Sequence, residues 1–133
     1  MLRPFCRAKI HRATITAADL DYIGSLTLDA DLMAAAELLP FEQVQVANVS
    51  TGARFETYLL EGEPGSGVVC LNGAAARLGQ PGDVIIIFAY AWLNPDELRD
   101  FRPRTIFVDE HNRITEVRET TLWETTPLSG FPG

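Results

Sequence analysis

The chain has 133 residues, a length that suits one domain, and 47% of them are hydrophobic, enough for a core and too many for a disordered segment. A net charge of −7 argues against nucleic acid, which needs a basic footprint, and no stretch reaches the roughly 18 apolar residues of a membrane span. The N-terminus is basic and alternating rather than apolar, so a cytoplasmic protein is expected. Cys6 and Cys70, far apart and without metal-ligand spacing, are expected to be reduced core thiols.

Cys6, Ala8 and Ile10 alternate with Arg7, Lys9 and His11, the period of a half-buried strand. Arg3, Arg7, Lys9 and Arg12 all precede the first acidic residue, Asp19. That basic strand is either a solvated face or the lining of an anion site. Residues 22–28 read as a strand interrupted at Gly24, where a bulge or close backbone approach is expected. After Asp29 a helix is predicted, with Leu32, Ala36 and Leu39 on one face and Pro40 as its stop.

Residues 43–48 and 53–60 read as strands joined by a turn at Thr51-Gly52. In the second, Arg54 and Tyr58 point to one face while Phe55, Thr57 and Leu59 point to the other. A sharp loop over 62–67 leads to a short strand over 68–71 and then to Asn72-Gly73-Ala74-Ala75-Ala76. The alanines favour a short helix over the hairpin that Asn-Gly alone would signal. Gln80-Pro81-Gly82-Asp83 is a turn before an apolar strand over 84–93, read as buried. Asn94-Pro95-Asp96-Glu97 carries a helix-start signature. Residues 105–108 and 114–117 form a hairpin around His111-Asn112, and a mobile tail follows. Many short strands with few helices indicate a mainly β fold, a small barrel.

Five motifs then occur in order: Lys9-Ile10-His11-Arg12; Tyr22-Ile23-Gly24-Ser25; the run from Asn48 through Arg54 to Tyr58; Asn72-Gly73-Ala74-Ala75-Ala76; and Gly82-Asp83. Singly each is weak. Together, over roughly residues 1–118, the set resembles the bacterial pyruvoyl-dependent aspartate 1-decarboxylase family. The resemblance implies a double-psi β-barrel domain over 1–118 with a few short helices, a flexible tail over 119–133, and a homotetramer with sites between neighbouring subunits.

It also implies a proenzyme that cuts itself at Gly24-Ser25 into 1–24 and 25–133. The Ser25 hydroxyl would attack the Gly24 carbonyl, and the absence of a side chain at Gly24 would allow the approach. Ser25 would become a covalently bound pyruvoyl group, the electron sink for decarboxylating L-aspartate to β-alanine and CO2, which feeds pantothenate and coenzyme A synthesis. No metal is implied.

By the same resemblance Tyr58 is the proton donor, since a phenol carries its proton at neutral pH. Arg54 holds a carboxylate through paired hydrogen bonds, and Lys9 supplies a second cation. Thr57 contributes to cleavage and substrate contact. Asn72, Gly73, Ala74 and Ala75 form a substrate loop whose small side chains expose peptide N–H groups. His11 and Tyr22 flank the pocket. Family members often carry a large aromatic where this chain has Ala47. Two rival readings remain: a non-catalytic double-psi barrel used for binding, and a self-cleaving enzyme for a different amino acid. Whether a helper protein assists maturation is left open.

Overall fold

The computed structural model describes residues 1–123. Nine strands form one sheet: β1 (Arg3–Thr14), β2 (Ala17–Asp19), β3 (Ser25–Asp29), β4 (Gln43–Asn48), β5 (Arg54–Gly62), β6 (Val69–Asn72), β7 (Val84–Leu93), β8 (Arg104–Val108) and β9 (Ile114–Glu119). Their spatial order is β2-β6-β3-β5-β4-β7-β1-β8-β9. Most neighbours are antiparallel, but β1 runs parallel to β8, β2 to β6 and β3 to β5, so the chain crosses over repeatedly. The fold is mainly β with a few short helices, as the sequence implies.

One side chain in two along the central strands points inward. Val44, Val46, Leu59, Ile85, Ile87 and Ile10 are buried and form the core with Leu26, Leu28, Leu71 and Ile106. Each such side chain contributes about 1.5–3 kcal/mol on leaving water. The strand 84–93 was expected to be buried; it is one-sided instead. Ile85, Ile87 and Ala89 face the core, while Tyr90 and Trp92 are exposed.

Three further expectations are corrected. First, β1 does not keep its alternation, because irregularities between Cys6 and Ala8 and between Ile10 and Ala13 shift its register. In consequence Cys6 is exposed and His11 is buried; Cys70 is half-buried, so neither cysteine is a core thiol. Second, the helix covers only Ala30–Ala35. Glu37 adopts φ 56°, and the Leu38 N–H returns to the Met33 carbonyl at 2.8 Å and the Glu37 N–H to that of Ala34 at 3.1 Å. This left-handed closure turns the chain so that Leu38, not Leu39, is buried. Third, Gly24 is not inside a strand: β3 begins at Ser25, and 20–24 form a turn and bend ahead of it.

Polar locks fix the loops. The buried Asp29 carboxylate accepts N–H bonds from Asp31, Gly65 and Gly67 at 2.8–3.1 Å, capping the helix and pinning the 62–67 loop in one stroke. Asn48 donates to Asp83 and to the Leu78 carbonyl, each at 3.0 Å, which ties the segment after residues 73–77 to β4. The 3-10 helices Gly73–Arg77 and Pro95–Arg99 match the predicted short helices, the second with a reciprocal Asn94–Glu97 cap. The hairpin β8–β9 turns where Asn112 takes φ 62°. The tail expected over 119–133 lies outside the described residues from 124 onward.

Candidate active site

Ser25 is the first residue of β3 and is fully buried. β6 runs antiparallel beside it and sets Asn72 directly opposite. Direct cross-strand partners are close enough for their side chains to meet. The Asn72 amide donates to Ser25 Oγ at 2.9 Å and to Thr27 Oγ1 at 2.9 Å. The Ser25 hydroxyl in turn donates to the Ile23 carbonyl at 2.9 Å. Cys70 donates through Sγ to Asn72 Oδ1 at 3.2 Å, which leaves the amide nitrogen facing Ser25. Burial raises the Cys70 thiol pKa, with a further push from the Asp19 carboxylate, so the thiol keeps the proton it donates. The hydroxyl is thus held from both sides, a geometry the motif Gly24-Ser25 alone does not reveal.

The close backbone approach expected at Gly24 is made by Gly73. Gly24 has room: a Cβ there would meet nothing nearer than the Asn72 carbonyl at 4.0 Å. Gly73 has none. At φ 61° its added Cβ would lie 2.6 Å from Gly24 Cα, 2.8 Å from Gly24 N and 3.0 Å from the Tyr22 carbonyl. The backbone at Gly73 is therefore pressed against Gly24 and the Tyr22 carbonyl, and only glycine fits at 73. Gly73 and Ala75 are buried, Ala74 is exposed, and Tyr22 is half out in solvent at 52%.

A second cluster lies on the outer face of the sheet. Lys9 and Gln45 are the direct partners of Phe88, Ala47 is the partner of both Arg54 and Ile86, and Tyr58 is the partner of Gln43. All these side chains stand on one face, opposite the core-facing Val44, Val46, Ile85 and Ile87. The Lys9 ammonium and the Arg54 guanidinium each lie 5.8 Å from the Phe88 ring centroid. Among the described residues neither has an ion-pair partner, whereas Arg7 is paired with Glu42 and Arg104 with Glu37 and Glu119. Two cations without an ion-pair partner among the described residues thus lie over one ring, an arrangement that can attract an anion.

The face assignment of Arg54 and Tyr58 holds, but the two do not meet. Four residues of strand, about 13 Å, separate them. Tyr58 stacks on Phe41, centroids 5.8 Å apart. One position before the Leu26–Leu59 pairing of β3 and β5, Tyr58 lies level with Ser25. Thr57 faces the other side, opposite Val44, with no hydrogen bond to Ser25 or Gly24. His11 packs edge-to-face on Phe107, centroids 5.6 Å apart, under β8. Sequence reasoning missed Phe88, Thr27 and Cys70. The apolar run 84–93 gave no signal for Phe88, and Thr27 and Cys70 carried none. Among the described residues no group of three or more His, Cys, Asp or Glu is placed to hold a metal ion, and no helix is long and apolar enough to cross a membrane.

Comparison with known proteins covers the same stretch of chain. The family model for aspartate decarboxylase matches residues 1–115. The aspartate 1-decarboxylase of Moorella thermoacetica is 58% identical over 119 residues, 90% of this chain and 93% of that protein. That of Pelotomaculum thermopropionicum is 55% identical over 119 residues, 90% of each chain. That of Heliobacterium modesticaldum is 52% identical over 128 residues, 96% of this chain and 97% of its own. The matched span contains Ser25 with its asparagine lock, the glycine pressed on residue 24 and both cations, and the chain belongs to the aspartate decarboxylase family, whose fold is the double-psi β-barrel.

Proposed function

We propose that this chain is the self-cleaving precursor of an enzyme that decarboxylates L-aspartate to β-alanine and CO2. The observation that carries the reading is the buried Ser25 hydroxyl, held by Asn72 and Ile23 beneath the Gly73 backbone. In the maturation step Ser25 Oγ attacks the Gly24 carbonyl carbon and the C–N bond breaks, converting the amide to an ester. The Ser25 α-proton and the ester oxygen then leave together, freeing residues 1–24 as a carboxylate. Hydrolysis of the remaining enamine expels ammonia and leaves a pyruvoyl group at the start of 25–133.

The residues present fit that group. Asn72 and Thr27 surround the position of Ser25, and the 72–75 loop closes over it. Once formed, the group supplies the electron sink into which the carboxylate bond electrons flow. The chain's own residues do the rest. Arg54 and Lys9 bind carboxylate, with the guanidinium fork suited to a bidentate grip. The small residues Gly73, Ala74 and Ala75 let backbone N–H groups face the substrate. Tyr58, level with Ser25 on the neighbouring strand, returns a proton to carbon. Thr57, on the strand beside Ser25 but turned to its other face, is assigned to cleavage by the family resemblance alone, and His11 and Tyr22 shape the surroundings.

The separation of the cation pair from Ser25 along β5 supports a site completed across subunits. The exposed outer face that bears Phe41, Tyr90 and Trp92 supports a homotetramer. The barrel domain spans 1–118, the enzyme acts in the cytoplasm, and its product feeds pantothenate and coenzyme A synthesis. The test is to incubate purified, matured protein with L-aspartate and quantify β-alanine and CO2. Equal amounts of both are expected. Cleaved protein that turns over another amino acid and leaves aspartate untouched would instead favour the different-substrate rival.

A further inference from the structure

We infer that Phe88 is a positioning residue that sets the carboxylate affinity of the site, by holding Lys9 and Arg54 together as an unneutralised pair. The outer-face registry makes this possible. Lys9 stands directly beside Phe88, and Arg54 reaches it diagonally past Ala47, whose methyl group leaves the path open. The negative face of the ring attracts both cations at 5.8 Å and offsets their mutual repulsion without neutralising either. Tyr90 stacks alongside Phe88, centroids 6.5 Å apart, and limits the ring's motion.

The nearest acid on that face is kept away from Arg54. Glu56 lies two residues along the same strand face, yet its carboxylate oxygens are taken by the Gln43 amide at 2.9 Å and the Gln45 amide at 3.1 Å. Both glutamines project from β4, directly across from β5. A neutral donor pair thus satisfies Glu56, and Arg54 stays available for a substrate carboxylate. The cations are placed by an aromatic ring and protected by two amides.

This inference rests on the aspartate reading, and its test separates the two. Matured wild type, Phe88→Leu, Phe88→Met and Phe88→Tyr are compared for aspartate kinetics and for calorimetric binding of succinate, a dicarboxylate without an amine. Leucine and methionine should raise KM for aspartate and Kd for succinate by about fivefold to thirtyfold, the loss of one or two cation–π contacts, with kcat within about threefold. Tyrosine, which keeps the ring face, should stay within about threefold of wild type on both. In a second arm, Gln43→Met with Gln45→Met should raise KM severalfold by releasing Glu56 onto Arg54, and adding Glu56→Gln should restore it. Unchanged KM and succinate affinity in both Leu and Met variants would overturn the role of Phe88, as would an equal loss in the Tyr variant. Wild type that makes no β-alanine yet binds succinate, with binding weakened by Phe88→Leu, would refute the aspartate reading and support the clamp.

Discussion

The two halves of the candidate site are built in opposite ways. Around Ser25 the polar side chains are committed: the buried hydroxyl and Asn72 amide and the half-buried Thr27 and Cys70 form one chain of hydrogen bonds. Around Phe88 the charges are uncommitted, Lys9 half-buried and Arg54 exposed, and they are steadied by an aromatic face rather than by acids. The difference matches two tasks. An intramolecular attack needs one atom held in one place, where orientation replaces a bimolecular encounter. An anion receptor needs charges left open until the ligand arrives.

Disturbing the buried half should have the largest effect. Gly73→Ala puts a methyl group within 3 Å of Gly24 backbone atoms and into a left-handed conformation, so residues 20–24 must move away from their place before β3. Maturation should fail or slow by at least about 100-fold, because a small misplacement of a held nucleophile can cost that much. A denaturing gel followed over days measures it, and cleavage at the wild-type rate would mean that the loop contact is incidental.

Tyr58→Phe should separate maturation from turnover. The ring and its stacking on Phe41 survive, and only the hydroxyl is lost. Cleavage should proceed, while decarboxylation falls by about 10²–10⁴-fold, the usual worth of a general acid. Mass analysis of the fragments together with β-alanine assay reads both. Normal turnover would remove Tyr58 as the donor; absent cleavage would move it into the first half of the comparison.

Arg54→Ala should act on the open half alone. With one of two cations gone, kcat/KM for aspartate should fall at least about tenfold, as for a lost charge-assisted hydrogen bond, with maturation unaffected. Wild-type efficiency in the matured variant would place carboxylate binding elsewhere. The smallest effect is expected from Cys70→Ser. A hydroxyl can donate to Asn72 Oδ1 as the thiol does, so the maturation rate should stay within about threefold. A gel time course checks it, and a large loss would show that the sulfur does more than orient the amide.

The strands β4 and β5 were legible because their alternation is local, and they lie within a residue or two of where it put them; the position of β7 was legible from its apolar run, but its one-sidedness was not. The turns at Gly52 and Gly82 and the cap at Asn94 were legible for the same reason. The irregularities in β1 were not, since nothing within residues 6–13 records how β7 will pair with them. That is why Cys6 and His11 exchanged faces with expectation. The candidate site was named as a set of residue types through family resemblance, but the contacts among them were not legible. Phe88 meets Lys9 and Arg54 only because β7 lies between β1 and β4, an ordering set by segments far apart in the chain. The pressure of Gly73 on Gly24 likewise joins residues about fifty positions apart, so a close backbone approach at Gly24 was legible but the glycine that makes it was not.

The most direct test is the intact mass of the protein purified and incubated until no further change occurs, beside Ser25→Ala treated identically. Wild type should yield two chains, 1–24 and 25–133, the larger with no free amine at its new N-terminus, while Ser25→Ala should remain a single folded chain of 133 residues. A wild-type chain that stays whole, or a cleaved Ser25→Ala, would contradict the claim that the buried hydroxyl at residue 25 is the nucleophile of self-cleavage.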